Sequence, residues 1–189
     1  MNTRILFRTT IFILVLITSC YREQNNNLLQ QKGKSQTKMI QLLQQIDSLS
    51  NLNEYDLYVV KNYIAKAEEF SSTYPEDPMS ADFLYKAGLM AMTIAKVTES
   101  QEETDFYCQK ALSIFGDIQR VYPDFLNIKN CILNKGVIYD DILHDYANAE
   151  ILYREFIARY PTDTLAINIE SYLQYIGKTP EEIMAEIEK

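Results

Sequence analysis

Residues 136–161 read GVIYDDILHDYANAEILYREFIARYP, and they carry the clearest helical pattern in the chain. Its second half places Tyr153, Phe156 and Tyr160 three to four residues apart, which is the spacing of one face of an α-helix. Pro161 then ends the helix, because proline lacks an amide N–H and disfavours helical backbone in the residue before it. The stretch therefore predicts a helical hairpin whose second helix stops at a fixed point.

The same ending occurs three times, at Tyr74-Pro75, Tyr122-Pro123 and Tyr160-Pro161. Apolar or aromatic residues stand four, seven and eleven places before each tyrosine, and an acid follows each proline closely. A hairpin with one apolar stripe cannot bury that stripe alone, so the retained offsets predict stacked repeats. In chain order these residues are Phe70, Ala67 and Tyr63 with Asp77, then Ile118, Phe115 and Ala111 with Asp124, then Phe156, Tyr153 and Ala149 with Asp163.

A glycine stands fourteen residues after each of the first two of these tyrosines, at Gly88 and Gly136. Glycine inside a helix costs about 1 kcal/mol relative to alanine, so we expect a packing reason for it. The expected reason is close approach of the two helices of one hairpin. The chain has only 5 Gly and 5 Pro and no clean two-residue alternation, so it is predicted to be all-α.

Capping residues mark four helix starts. At the first start an Asp precedes a Pro, and at the last start a Thr precedes a Pro. Glu182 forms a capping box with Thr179 at the last start. Two further helices, over 39–49 and 55–70, are predicted from apolar residues at helical spacing. The four starts are Asp77-Pro78, Asp145, Asp163 and Thr179-Pro180.

The pattern resembles the tetratricopeptide repeat (TPR). Gly136 and Tyr139 match its first helix, Ala149 matches its second helix, and Pro161 matches its closing position. The resemblance implies a right-handed α-solenoid of about three TPR-like helical hairpins, with capping helices at the C-terminus, over residues 37–189.

The first twenty residues have the composition of an export signal. Two arginines and no acid precede the apolar run 11–17, which is too short for a comfortable membrane-spanning helix of about 20 residues. Residues 17–20, ITSC, resemble the bacterial lipobox. That resemblance implies removal of residues 1–19 and lipidation of Cys20. The alternatives are an uncleaved anchor or an ordinary signal with an accidental cysteine.

Residues 20–36 are rich in Gln and Asn, and we expect a flexible tether between the lipid and the domain. Tyr21 follows the cysteine, where lipoproteins kept at the inner membrane carry Asp. By that resemblance we expect the outer membrane. The acidic cluster of surface-exported lipoproteins is reduced here to Glu23, which favours the periplasmic face.

Charge and composition argue against nucleic-acid binding and catalysis. The chain has 26 acidic and 18 basic residues, whereas phosphate binding needs concentrated Lys and Arg. With one histidine, His144, and no phosphate loop, metal-ligand spacing or nucleophile–base arrangement, we expect no catalytic residue, metal or cofactor. Cys108 and Cys131 are interpreted as small buried hydrophobic residues, although an oxidising compartment permits a disulfide.

TPR arrays bind partners on a concave face formed mainly by the first helix of each pair. Tyr and Met there are expected to anchor a peptide or helix, and the two adjacent acids suit a basic partner. The alternative is that the apolar members pack between repeats and the acids are solvated. Transferred from Gly88 and Gly136, the register places on this predicted groove Asp82, Tyr85, Leu89, Met92, Asn130, Leu133, Val137, Asp140 and Asp141.

The repeat ending and the lipobox together resemble two groups of envelope proteins. One is the lipoprotein partner of the outer-membrane β-barrel assembly machinery, and the other is the periplasmic Tol–Pal coordinator family. The resemblance implies a non-enzymatic, lipid-anchored scaffold that binds an envelope protein or peptide, in outer-membrane protein assembly. The alternatives are a Tol–Pal and cell-division coordinator, or a lipoprotein that binds a small ligand.

Overall fold

The computed structural model describes residues 3–50 and 56–187, with side chains over 22–48 and 56–186. Within these ranges the chain forms helices and no strand, which confirms the all-α prediction for the described part. A π-helical turn, Ile138–Ile142, continues the fifth helix. The helices are α1 Thr3–Ser50, α2 Leu57–Thr73, α3 Met79–Val97, α4 Gln101–Val121, α5 Ile128–Val137, α6 Tyr146–Arg159, α7 Thr164–Tyr172 and α8 Pro180–Ile187.

Each helix from α1 to α6 packs against the next one in the sequence, and the π-helical turn also packs against α3, α4 and α6. The apolar core consists of two clusters, one built from α1 to α5 and one built from α5 to α7. Helix α5 joins them, because Cys131 belongs to the first cluster and Ile132 to the second. Burial thus proceeds from neighbour to neighbour along the chain.

The three Tyr-Pro endings share one backbone geometry. Tyr74, Tyr122 and Tyr160 are the C-caps of α2, α4 and α6, with φ of −129°, −126° and −131°. Each tyrosine N–H donates to the carbonyl four residues earlier, and each tyrosine carbonyl accepts from the residue three places later. The predicted helix ends are therefore confirmed at all three sites.

The acids that follow the three prolines do not occupy equivalent backbone positions. The amide that donates to the tyrosine carbonyl belongs to Asp77 in the first turn and Asp163 in the third, but to Phe125 in the second. Asp124 stands one place too early for this role. The phenyl ring of Phe125 packs against Tyr85, with ring centroids 5.7 Å apart, so an apolar contact replaces the acid of the other two turns.

The two glycines stand where α3 approaches α4 and where α5 approaches α6. A Cβ atom on Gly88 would lie 2.7 Å from Cε1 of Phe115, and one on Gly136 would lie 2.7 Å from Cε1 of Tyr153. Both rings belong to the residue seven places before a Tyr-Pro pair. The expected close approach within each of these hairpins is confirmed.

The predicted caps of α6, α7 and α8 are also confirmed. Asp145 accepts from the amide of Asn148, and Asp163 accepts from the amide of Leu165. Thr179 and Glu182 exchange both hydrogen bonds of a capping box. The remaining start, that of α3, lies one residue later than predicted, at Met79.

The cap position of α3 is Pro78, but the predicted acid still contributes. The carboxylate of Asp77 accepts from the Met79 amide at 2.9 Å. Asp77 therefore satisfies one of the amides that a helix start leaves without a partner.

Residues 20–36 differ from the expected flexible tether, because they lie within α1. The segment contains no proline and several residues that favour helix, such as Gln, Leu and Lys. It is also held to the folded part of the chain. The ammonium of Lys32 lies 3.0 Å from the Asp77 carboxylate, and the Gln36 amide donates to the same carboxylate at 2.9 Å.

The side chain of Cys20 lies outside the described residues, so the structure does not bear on the lipobox prediction. In the part of the chain that the structure describes, no helix combines the length and the apolarity needed to cross a membrane. Cys108 and Cys131 are fully buried free thiols, which confirms the expectation that they behave as buried apolar residues.

Candidate functional site

The predicted groove residues on α3 divide into two pairs. Asp82 and Leu89 are exposed. Tyr85 and Met92 are half-buried and pack against the first core cluster. The ring centroids of Tyr85 and Phe115 lie 6.1 Å apart. Tyr85 therefore packs against the core as well as facing outward.

The predicted groove residues on α5 are half-buried. Leu133 packs against the second core cluster, which agrees with the alternative that such residues pack between repeats. The side-chain amide of Asn130 donates to that of Asn127 at 3.3 Å. Val137 is the last residue of α5, directly before the π-helical turn.

The adjacent acids of the π-helical turn have opposite surroundings. Asp141 is exposed and pairs with Lys96 across a 3.1 Å gap. Asp140 is only 4% exposed, and its Oδ2 accepts from the hydroxyls of Tyr153 at 3.0 Å and Tyr172 at 2.6 Å. The expectation that Asp140 lies on an open groove face is therefore corrected: two tyrosines hold it in a nearly closed position.

The π-helical turn accounts for the position of these acids. The Leu143 amide donates to the Ile138 carbonyl, five residues back, which inserts an extra residue into the turn. His144 stands two residues after the turn, and its φ of 52° is the one positive value at a non-glycine residue of the described chain. Its Nδ1 lies 3.1 Å from the backbone carbonyl of Asp140. Such turns and strained residues recur at functional sites.

A cleft of about 940 Å³ opens at this turn and is defined here as the π-turn cleft. It lies between the end of α3, the π-helical turn, and the segment from the end of α7 into α8. Three half-exposed tyrosine side chains, Tyr146, Tyr172 and Tyr175, form part of its wall. Asp140 reaches the same cleft from below the surface.

Burial and hydrogen bonding raise the pKa values of the two tyrosines whose hydroxyls donate to Asp140. Burial raises the pKa of Tyr153 well above its usual range, and the hydrogen bond to the Asp140 carboxylate raises it further. The pKa of Tyr172 is raised for the same two reasons, burial first. Both hydroxyls therefore remain protonated donors at neutral pH.

The two lysines of the cleft already have acidic partners. Lys96 pairs with Asp141, and Lys178 lies 2.8 Å from Glu186. No ion pair joins Asp140 to any Lys, Arg or His of the described chain. Asp140 is thus the uncompensated charge of the cleft.

A second cavity, of about 380 Å³, is mostly apolar and is lined by residues of α1, α2 and α3, among them Leu57, Val60 and Met90. The connection between α1 and α2 includes residues 51–55, which lie outside the described part.

Over the described side chains, no group of three or more His, Cys, Asp and Glu is placed to hold a metal ion.

In comparisons with known proteins, no family model, curated protein or solved structure matches the chain. The candidate site rests on geometry alone.

Sequence reasoning did not find the Asp140 network. The sequence identifies Tyr153 only as a member of an apolar stripe, and no sequence motif links Asp140 to Tyr172, which stands 32 residues later. The one local signal was the adjacency of Asp140 and Asp141, because neighbouring residues on a helix point about 100° apart.

Proposed function

We propose that this protein is a non-enzymatic scaffold of TPR-like helical hairpins that binds another envelope protein. The observation that supports the proposal is the shared geometry of the endings at Tyr74, Tyr122 and Tyr160, each of which closes a helix packed on the preceding one. Helices that repeat one turn geometry and pack in sequence order are typical of solenoids.

In this proposal the hairpins are α1–α2, α3–α4 and α5–α6, and α7 and α8 are the capping helices. The hairpins stack as a right-handed α-solenoid. Gly88 and Gly136 support the pairing, since each permits close contact between the two helices of one hairpin.

The partner binds on the side of α3 and the π-helical turn that carries exposed groups. Asp82 and Leu89 offer a carboxylate and an apolar side chain on one helix, and Asp141 adds a second carboxylate. The net charge of −8 favours a partner with a basic segment.

The proposed scaffold is anchored by a lipid on Cys20 to the periplasmic face of the outer membrane. The sequence ITSC directly after the apolar run 11–17 supports this anchor. The proposed partner belongs to the β-barrel assembly machinery, and a Tol–Pal partner is the alternative. A small-ligand function has less support, because the larger cleft is polar and open to solvent, unlike a closed apolar cavity.

Photo-crosslinking tests the scaffold proposal. A photoreactive amino acid is placed at Leu89, which is 36% exposed on α3, and adducts from intact cells are identified by mass spectrometry. The matched control carries the same group at Ile151, which is 64% exposed on α6. We expect an envelope protein crosslinked from position 89 and not from position 151. Recovery of the same proteins from both positions, or of none, would contradict the proposal.

The anchor has a separate test. Cells are labelled with an alkyne fatty acid, and the wild-type chain is compared with Cys20→Ala. We expect the label and the membrane association to disappear together in the variant, because acyl chains hold proteins at bilayers by burying methylene groups. Equal labelling of the two chains would exclude Cys20 as the lipidated residue.

A further inference from the structure

We propose that the π-turn cleft binds a guanidinium or ammonium group, with Asp140 as its anion. The proposal rests on the proposed scaffold function in one respect, namely that the cation is an Arg or Lys side chain of the protein partner. The argument uses the free oxygen of Asp140, the balance of charge around it, and the aromatic wall of the cleft.

The first step concerns the two oxygens of Asp140. Both tyrosine hydroxyls donate to Oδ2. Oδ1 accepts no hydrogen bond from any described residue, yet it is not among the fully enclosed polar atoms without a partner, so it reaches the open volume of the cleft. A carboxylate oxygen in this state is prepared to accept from a donor that enters the cleft.

The second step concerns charge. A buried carboxylate without a counter-cation is costly, and hydroxyl donors reduce that cost without neutralising the charge. Of the other charged groups that line the cleft, Lys96 pairs with Asp141, and Lys178 pairs with Glu186, which stands just outside the lining. The Nδ1 atom of His144 lies 3.1 Å from the backbone carbonyl oxygen of Asp140. The remaining charge is negative, which selects a cation over an anion.

The third step concerns the wall. The faces of aromatic rings attract cations, and tyrosine is one of the residues used for this purpose. Tyr175 already has the ammonium of Lys178 at 6.0 Å from its ring centroid. Tyr146 and Tyr172 are 40% and 42% exposed at the same cleft. The three tyrosines therefore offer aromatic surface to an extended cationic side chain whose charged end is directed toward Asp140.

The volume suits a side chain with its flanking backbone. Ligand sites range from about 300 to 1,000 Å³, and the cleft of about 940 Å³ lies at the upper end of that range. A peptide that crosses the cleft is a better match in size than a single small cation.

The test is a calorimetric titration of the full chain in detergent with the peptide acetyl-Gly-Arg-Gly-amide. The matched neutral probe replaces Arg with citrulline, which has nearly the same shape and no charge. We expect the Arg peptide to bind at least about tenfold more tightly than the citrulline peptide, which corresponds to about 1.4 kcal/mol. Equal binding of the two peptides, or tighter binding of inorganic phosphate, would overturn the proposal.

Variants localise the effect. Asp140→Asn should weaken the Arg peptide at least about tenfold, whereas Asp124→Asn, which removes an exposed acid between α4 and α5 outside the cleft, should leave its affinity unchanged. Tyr175→Leu provides an independent variant if Asp140→Asn does not fold, and it should weaken the Arg peptide more than the citrulline peptide. Unchanged discrimination in Tyr175→Leu, or in a folded Asp140→Asn, would overturn the assignment.

The experiments can contradict the cation-site proposal and the scaffold proposal separately. A crosslink from Leu89 that persists while the Arg peptide does not bind would overturn the cation site and leave the scaffold in place. Arg-peptide binding without any crosslink would support the site and contradict the scaffold.

Discussion

The ring of Phe115 in α4 occupies the space that a side chain at Gly88 in α3 would need. A Cβ there would lie 2.7 Å from Cε1 of the ring, and Gly136 has the same relationship to Tyr153. Phe115 is fully buried, so its ring has no open space into which to move. The two contacts explain why a helix tolerates glycine at these positions.

Alanine at position 88 should therefore destabilise the protein. Overpacking of a core costs about 1–3 kcal/mol. The control is Gly116→Ala in α4, where a Cβ would meet nothing within 4 Å and where helix propensity favours alanine by about 1 kcal/mol. Urea unfolding should show a lower midpoint for Gly88→Ala and a higher one for Gly116→Ala. Shifts in the same direction would contradict the close approach.

The hydroxyl of Tyr153 should contribute more to stability than that of another buried tyrosine. Tyr153→Phe leaves the buried Asp140 carboxylate with one donor, and hydrogen bonds to charged groups contribute about 1.5–3 kcal/mol. The control is Tyr63→Phe, which removes a 3.3 Å hydrogen bond to the neutral carbonyl of Phe83, for which about 0.5–1.5 kcal/mol is typical. Equal losses in thermal or urea unfolding would argue against a charged Asp140.

Asp77 should hold α1 to the rest of the fold. Asp77→Ala removes the contacts with Lys32 and Gln36, so amide hydrogen exchange over residues 30–40 should accelerate. Glu76→Ala changes the exposed neighbour of Asp77 and should leave exchange in that segment unaltered. Equal exchange in both variants would show that α1 is held by its apolar contacts alone.

The Asp77 carboxylate also predicts how the stability of the protein changes at low pH. Burial acts to raise the pKa of Asp77, but the Met79 amide, Lys32 and Gln36 outweigh it, so the pKa lies below its usual value. A depressed pKa contributes stability that is present above the unfolded pKa and is lost as pH falls through the folded one. Unfolding free energies measured from pH 5 downward should fall less steeply in Asp77→Ala than in the wild type. Parallel curves would contradict the shift.

The two thiols should be inert in the folded protein. Burial raises the pKa of Cys108 to about 11 and that of Cys131 to about 12, and only the thiolate is reactive. A chromogenic disulfide reagent at pH 8 should therefore react with neither residue in the native chain carrying Cys20→Ala, and with both after unfolding. Rapid reaction in the native state would show that the helices around the thiols open readily.

The raised pKa values of the two thiols also predict a loss of folding stability at alkaline pH. The folded chain holds these protons more tightly than the unfolded chain, so stability is full below pH 9 and declines as pH rises toward the folded pKa values. Cys131→Val removes one titrating group and should flatten the decline in unfolding free energy between pH 8 and 11. An unchanged slope would assign the decline to the buried tyrosines instead.

The elements that could be predicted from the sequence are those set by local chemistry. Pro75, Pro123 and Pro161 end helices because of the proline ring itself, and Asp145 and Asp163 cap helices with their own side chains. The glycine contacts were predictable for a related reason, since glycine inside a helix needs compensation. These features need no knowledge of distant residues.

The candidate site could be predicted only in part. Register placed Asp82 and Leu89 on the predicted groove, and both are exposed, but it also treated Asp140 as a groove acid, and Asp140 is buried. Asp140 lies within the π-helical turn, which breaks the 3.6-residue period, so a register carried forward from Gly136 no longer gives the direction of its side chain.

Most helix starts and ends, and the apolar stripes of the helices, follow from the sequence, because they depend on backbone restrictions and on neighbours within a few residues. The enclosure of Asp140 by Tyr153 and Tyr172, and the ion pair that joins Lys32 of α1 to Asp77, arise from tertiary packing. Those contacts join residues far apart in the chain. Their free energy depends on burial and hydrogen-bond geometry, which arise only when the helices pack.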